Sequence, residues 1–118
     1  MKIAIPVDDN KKDVCVSFGR TPYFLFCDTE TGKSEVDINP AADAEGGAGL
    51  KSAQFVVDHE PDVLITVRCG ENAAEVLLAA DMKIYKAQGT DAEENIKLLQ
   101  EGKLDILDHF HAGFHGKV

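Results

Sequence analysis

The chain is 118 residues long, 44% hydrophobic, with a formal net charge of −9 at pH 7. One domain of this size can bury a core without disulfides or a structural metal. No apolar run is long enough for a membrane span or a secretory leader, and the acidity opposes nonspecific binding to nucleic acid or anionic lipid.

Residues 2–7 read as a short apolar strand bounded by Asp8-Asp9-Asn10. A polar, Gly-broken loop follows and runs into an aromatic strand over 22–29. Thr31-Gly32 predicts a tight turn, and 33–38 alternates Ser34, Val36 and Ile38 with charged residues until Pro40 stops it. The second half alternates helix and strand. Leu50, Ala53, Phe55, Val56 and Val57 predict a helix from Gly49 to Glu60, ended by Pro61. Asp62–Val67 reads as a buried strand. Asn72 with Glu75 predicts a capping box opening the second helix. Met82–Ala87 is a last strand, and Thr90 with Glu93 predicts a second capping box, for a helix through about Gln100.

The order β-β-β-α-β-α-β-α sets a hairpin beside parallel βαβ units. With right-handed crossovers this predicts an α/β, ribonuclease H-like three-layer fold. Its five-stranded mixed sheet has the order 3-2-1-4-5, with strand 2 antiparallel and helices on both faces. The domain is expected over 1–107, followed by a tail, 108–118, that carries His109, His111 and His115. Three cysteines, an odd number at wide spacing, suit free thiols in a reducing, cytoplasmic compartment.

Several stretches carry a family likeness: the opening Met1-Lys2-Ile3-Ala4-Ile5-Pro6-Val7-Asp8-Asp9, then Phe18-Gly19-Arg20-Thr21-Pro22-Tyr23-Phe24, Asn39-Pro40-Ala41-Ala42 and Gly46-Gly47-Ala48-Gly49. Over roughly residues 1 to 107 the chain resembles the dinitrogenase iron–molybdenum cofactor biosynthesis family, the small carrier domains of the NifX and NifB C-terminal type. The resemblance implies the fold just described. It also implies a non-enzymatic carrier that binds an iron–sulfur or molybdenum/iron–sulfur cluster, or its precursor, and exchanges it with donor and acceptor proteins. Many relatives place a His directly before the Phe-Gly-Arg, where this chain has Ser17. Cys15 or a tail histidine would have to take over, or a different cluster or none is bound.

Ligands of open α/β sheets bind beyond the carboxyl ends of the parallel strands. Four loops are expected there: 8–21, 39–49, 68–72 and 87–90. They carry Cys15, Ser17, Phe18, Gly19 and Arg20; Gly46, Gly47 and Gly49; and Arg68, Cys69, Gly70 and Asn72. Two thiols, the only two arginines and two helix starts would cradle an anionic cluster. A helix start just past Cys69 is expected to lower its pKa. Each piece has a plainer reading. Cys69 and Cys15 can be small loop residues, Arg20 a loop tie, and the glycine run a flexible helix entry. Cys27, inside an aromatic strand, reads as core. His59 complements its helix dipole without a ligand role. Cys15, Cys69, His109, His111 and His115 are the candidate metal ligands; the tail's sixteen residues from Lys103 could reach back on the order of 50 Å at full stretch. The glycine run lacks the Lys-Ser/Thr of a phosphate loop, so no nucleotide cofactor is expected.

Two other functions compete. A ribonuclease H-type hydrolase needs carboxylates converging on two divalent metals roughly 4 Å apart. Asp8 could supply one, but Thr66 and Arg68 stand where partners should be. A cofactor-free regulatory or interaction module is the other, with Lys33, Glu35 and Asp37 guarding an edge strand against pairing. The sequence does not fix the oligomeric state.

Overall fold

The structure is a computed structural model describing residues 1–111. Its elements are β1 (Lys2–Val7), β2 (Tyr23–Asp28), β3 (Ser34–Ile38), α1 (Ala48–Asp58), β4 (Val63–Thr66), α2 (Glu71–Ala79), β5 (Lys83–Lys86) and α3 (Ala92–Gln100). They form one five-stranded sheet in the order β3-β2-β1-β4-β5. β2 runs antiparallel to both neighbours, while β1, β4 and β5 are parallel.

Strand parity sorts the core into two layers, because alternate side chains point to opposite faces. Ala4, Phe24, Phe26, Leu64 and Ile84 pack beneath α1 and α2, against Ala53, Val56, Ala73 and Leu77. Ile3, Ile5, Val7, Leu25 and Ile65 face the other way, toward Ala92, Ile96 and Leu99 of α3. β1 is buried on both faces, as the centre of a mixed sheet must be. Cys27, expected in the core, is only half-buried.

Helix starts depart from the expected caps. α1 begins at Ala48, after Gly47 at φ 70°, a left-handed conformation that glycine adopts without strain. α2 begins at Glu71 with Gly70 as N-cap and no side-chain cap, so the Asn72–Glu75 capping box does not form. The Glu71 amide donates instead to the carbonyl of His111 (2.9 Å). α3 is capped by Asp91, whose carboxylate accepts from the Glu93 amide (3.1 Å), one residue past the expected Thr90. Thr90 is held elsewhere, its carbonyl accepting from the Val14 amide (2.7 Å).

After α3 the described chain, through His111, stays on the domain. The Lys86 amide donates to the Asp105 carbonyl (2.8 Å), and the Leu107 amide to the Ile84 carbonyl (2.9 Å). Leu104 and Leu107 are buried, and Phe110 packs on the α1/α2 layer. The segment ends with His111 bridged to Gly70. Residues 103–111 are therefore a strap laid along β5 and back to the carboxyl edge of the sheet.

Candidate functional site

The edge loops are tied together by a buried polar knot. Asn39, 3% exposed, donates through Nδ2 to the Thr21 carbonyl (3.0 Å), the Ser52 hydroxyl (3.0 Å) and, more weakly, the Gly19 carbonyl (3.4 Å). Its Oδ1 accepts from the Ala41 amide (3.0 Å), and Ser52 Oγ donates to the Gly19 carbonyl (2.8 Å). Phe18 is buried edge-on against Phe24, with ring centroids 5.4 Å apart. Gly19 lies so close to the α1 entry that a Cβ there would stand 3.0 Å from the Gly49 amide nitrogen. Arg20 ties loop to loop: its guanidinium donates to the carbonyls of Ala42 (3.1 Å) and Ala44 (2.6 Å), and its amide to Ser17 Oγ (3.1 Å).

Close packing of α1 on α2, with Gly49 against the Ala73 methyl, brings their two N-termini together. Between them and the 16–20 loop lies a cavity of about 460 Å³. Its wall includes Ser17, Phe18, Gly19, Arg20, Gly46, Gly47, Gly49, Arg68, Cys69, Gly70, Asn72 and His111. Neither helix start carries a side-chain cap; the Glu71 amide is taken by the His111 carbonyl, and both helices turn their positive dipole ends toward this opening. Val16, Glu45, Ala48, Leu50 and Ala73 complete the lining. Val16 and Leu50 had no polar signature to mark them in the sequence. They are unusually exposed for their size, at 57% and 44%.

The cysteines behave differently from expectation. Cys69 lines the cavity but is 1% exposed, and burial pushes its thiol up to about 12. The loss of hydration outweighs the nearby helix start, so the expected low-pKa thiolate is not present. Cys15 does not line the cavity: its amide donates to the Pro6 carbonyl (2.8 Å) and Val14 bridges Val7, folding this stretch back against β1. Burial, with Asp8 adding to it, also raises the Cys15 thiol. The cavity thus presents one thiol where two were expected.

The strap supplies the imidazole. The His111 amide donates to the Cys69 carbonyl (3.3 Å), and its ring passes within 3.3 Å of where a Cβ on Gly70 would sit. A larger residue at 70 would push the ring away. His109 lines a shallower hollow of about 250 Å³ behind the strap, with Phe110, and pairs with Asp108 (3.6 Å). His115 lies outside the described residues. Asp8 belongs to no group of three mutually close His, Cys, Asp or Glu side chains among the described residues, so the carboxylate convergence that a two-metal hydrolase needs is missing there. No helix among them is long and apolar enough to cross a membrane.

Comparison with known proteins agrees with this architecture. The sequence profile described as "Dinitrogenase iron-molybdenum cofactor" matches residues 1–102. An uncharacterized protein of Methanocaldococcus jannaschii is 33% identical over 111 residues, covering 92% of each chain. Among solved structures, the apo form of the orange protein from Desulfovibrio gigas superposes with a TM-score of 0.83 at 25% identity, covering 90% of this chain and 92% of that one. A Thermotoga protein provisionally assigned as NifB superposes with a TM-score of 0.78 at 38% identity, covering 95% and 97%.

Proposed function

The chain belongs to the dinitrogenase iron–molybdenum cofactor family, and from that premise we propose that it is a non-enzymatic carrier of a metal–sulfur cofactor or its precursor. One observation carries the reading: the cavity at the paired starts of α1 and α2, walled by Arg68, Cys69 and His111. Its volume falls within the range of about 300–1,000 Å³ typical of small-ligand sites. Backbone amides and guanidinium suit an anionic cargo on an otherwise acidic protein. His111 is the readier ligand, since a neutral imidazole binds soft and borderline metals without losing a proton. Cys69 binds only by releasing its proton to solvent, so loading through it strengthens as pH rises. Cargo on one or two protein ligands keeps its remaining faces open for transfer to an acceptor.

The sheet order, antiparallel β2 and helices on both faces support a ribonuclease H-like label for the architecture, which by itself carries no activity. Three free cysteines favour a reducing, cytoplasmic setting.

Anaerobic reconstitution with iron, sulfide and molybdate, followed by metal analysis, tests the proposal. The expected result is cargo bound by the wild type with sulfur-to-metal charge-transfer absorption. Loading should fall in His111→Ala, Cys69→Ser and Arg68→Ala, and persist in Cys15→Ser. Equal loading in all four variants would overturn it.

A further inference from the structure

A second metal-binding arrangement lies apart from the cavity, where β3 meets the end of α1. Glu35 and Asp37 are two residues apart on β3, so their side chains share a face. They pair across to Phe26 and Phe24, which belong to the layer under α1. His59, the C-cap of α1, comes down onto the same face. One ligand atom from each of Glu35, Asp37 and His59 lies within 4.8 Å of the other two.

The imidazole is held as a metal-ligating imidazole is held. Its ring stacks on Phe26, with centroids 4.1 Å apart and planes within 4°. Nδ1 sits 2.9 Å from the Phe55 carbonyl, an oxygen that can only accept, so Nδ1 carries hydrogen. That turns the second nitrogen, Nε2, toward the carboxylates, 3.0 Å from Asp37 Oδ2, an acceptor to which Nε2 donates, so an ion binds there by displacing that hydrogen. A ring fixed by an Nδ1–H donated to a backbone carbonyl, with Nε2 offered outward, is the outer-shell pattern of bound metals. Lys2, the nearby cation, donates to the His59 carbonyl (2.6 Å), and so engages the backbone of that residue. His59 and Asp37 are 25% and 32% exposed at their side chains and Glu35 is exposed, so an ion can reach all three from solvent.

We infer that Glu35, Asp37 and His59 form a surface site for a divalent transition ion of the zinc class, separate from the cargo cavity. Ligands at about 2.1 Å around a tetrahedral ion stand about 3.4 Å apart. The Asp37–His59 pair, at 3.0 Å, opens slightly to reach that spacing as the hydrogen between them is displaced, and rotation of the exposed Glu35 closes the third side. One nitrogen and two carboxylates select zinc, cobalt or nickel over magnesium and calcium, which prefer all-oxygen sites. Three protein ligands leave a coordination position for water or for a group from another molecule.

Residue-resolved NMR of the full chain tests the site, because zinc bound at Cys69 or His111 reports on different signals. On titration with zinc chloride, the His59 Nε2 resonance should move to a metal-bound shift while Nδ1 stays protonated. The Glu35 and Asp37 amides should respond with the same midpoint, and magnesium should leave all of them in place. Glu35→Gln and Asp37→Asn, both on an exposed edge strand, should each weaken the His59 response at least tenfold while circular dichroism stays unchanged. An unmoved His59 ring would sink the inference. So would a zinc response at His59 that neither variant weakens.

Discussion

Asn39→Ala is the sharpest test of how the cavity is built, because one side chain ties two loops to α1. The substitution strips the Thr21 carbonyl and the Ala41 amide of their partners in a place where Asn39 is 3% exposed. Gly19 keeps its stronger bond from Ser52. Each orphaned buried group costs about 1–3 kcal/mol, so the variant should lose about 4 kcal/mol. With unfolding entropy near 2.1 cal/mol/K per residue, the melting temperature should fall by roughly 15 °C. Urea unfolding followed by circular dichroism measures the loss, read as a shift in midpoint at constant slope. Asn39→Asp separates the donor from the acceptor. It keeps the bond to Ala41 but turns a carboxylate toward three oxygens, so the new acid holds its proton above the usual carboxylate range. A raised pKa stabilises below the unfolded value of about 3.9, and that stability is lost as pH rises. Relative to wild type, Asn39→Asp should therefore be worst at neutral pH and recover toward pH 4. A loss below 1 kcal/mol for Asn39→Ala would refute the knot as the device that fixes these loops.

Cys69 gives a pH signature. Its folded thiol, at about 12, lies above the ordinary 9.0, so its protonated form stabilises the fold fully below pH 9. That contribution drains away between pH 9 and about 12, by roughly 1.4 kcal/mol per pH unit at the steepest. The slope should be missing from Cys69→Ala, and iodoacetamide at pH 8 should label Cys15 and Cys27 well before Cys69. Leu107→Ala should cost about 3 kcal/mol through lost burial. It should also speed hydrogen exchange at Lys86 and Glu71, whose amides donate to the strap. Gly19→Ala would force a methyl against the backbone of Gly49 and Ala48, costing about 1–3 kcal/mol. Cargo loading should drop with it, because the helix entry must shift.

Most of the scaffold was legible because its signals are local. β1 is bounded where Asp8 begins, Pro61 follows α1, and the strand order follows from crossover handedness once the elements are placed. The α2 cap was misread for a tertiary reason, while the α3 cap was off by a single neighbouring residue. Asn72 has the right chemistry, but the His111 carbonyl reaches the Glu71 amide, and a partner from forty residues away leaves no local pattern; at α3, Asp91 caps in place of the adjacent Thr90. The Cys69 thiol was misjudged by weighing the helix start and not the burial. A strand-to-helix turn shows the first in sequence; only its place in one core cluster with Phe18, Leu77 and Leu107 reveals the second. Arg20 could be read either way, and the structure gives its guanidinium to two carbonyls, which leaves Arg68 as the cation with more freedom to face a ligand.

The strap changes what kind of carrier this fold can be. The family match ends at residue 102, yet the nine residues that follow cap α2, cover β5 and bring an imidazole to the cavity. A single segment thereby couples the integrity of the α2 start to the presence of a ligand. If the strap lifts, the Glu71 amide loses its acceptor and the cavity loses a wall and a donor together. Cargo held through His111 would in turn favour the docked strap by whatever it gains from that bond. A loop histidine ahead of the Phe-Gly-Arg segment could hold a metal, but it would leave the far end of the chain uninvolved. With Ser17 there and His111 in the same cavity wall, the proposed cargo would leave together with the strap. On the carrier reading, an acceptor that competed for the strap would thereby also drive unloading.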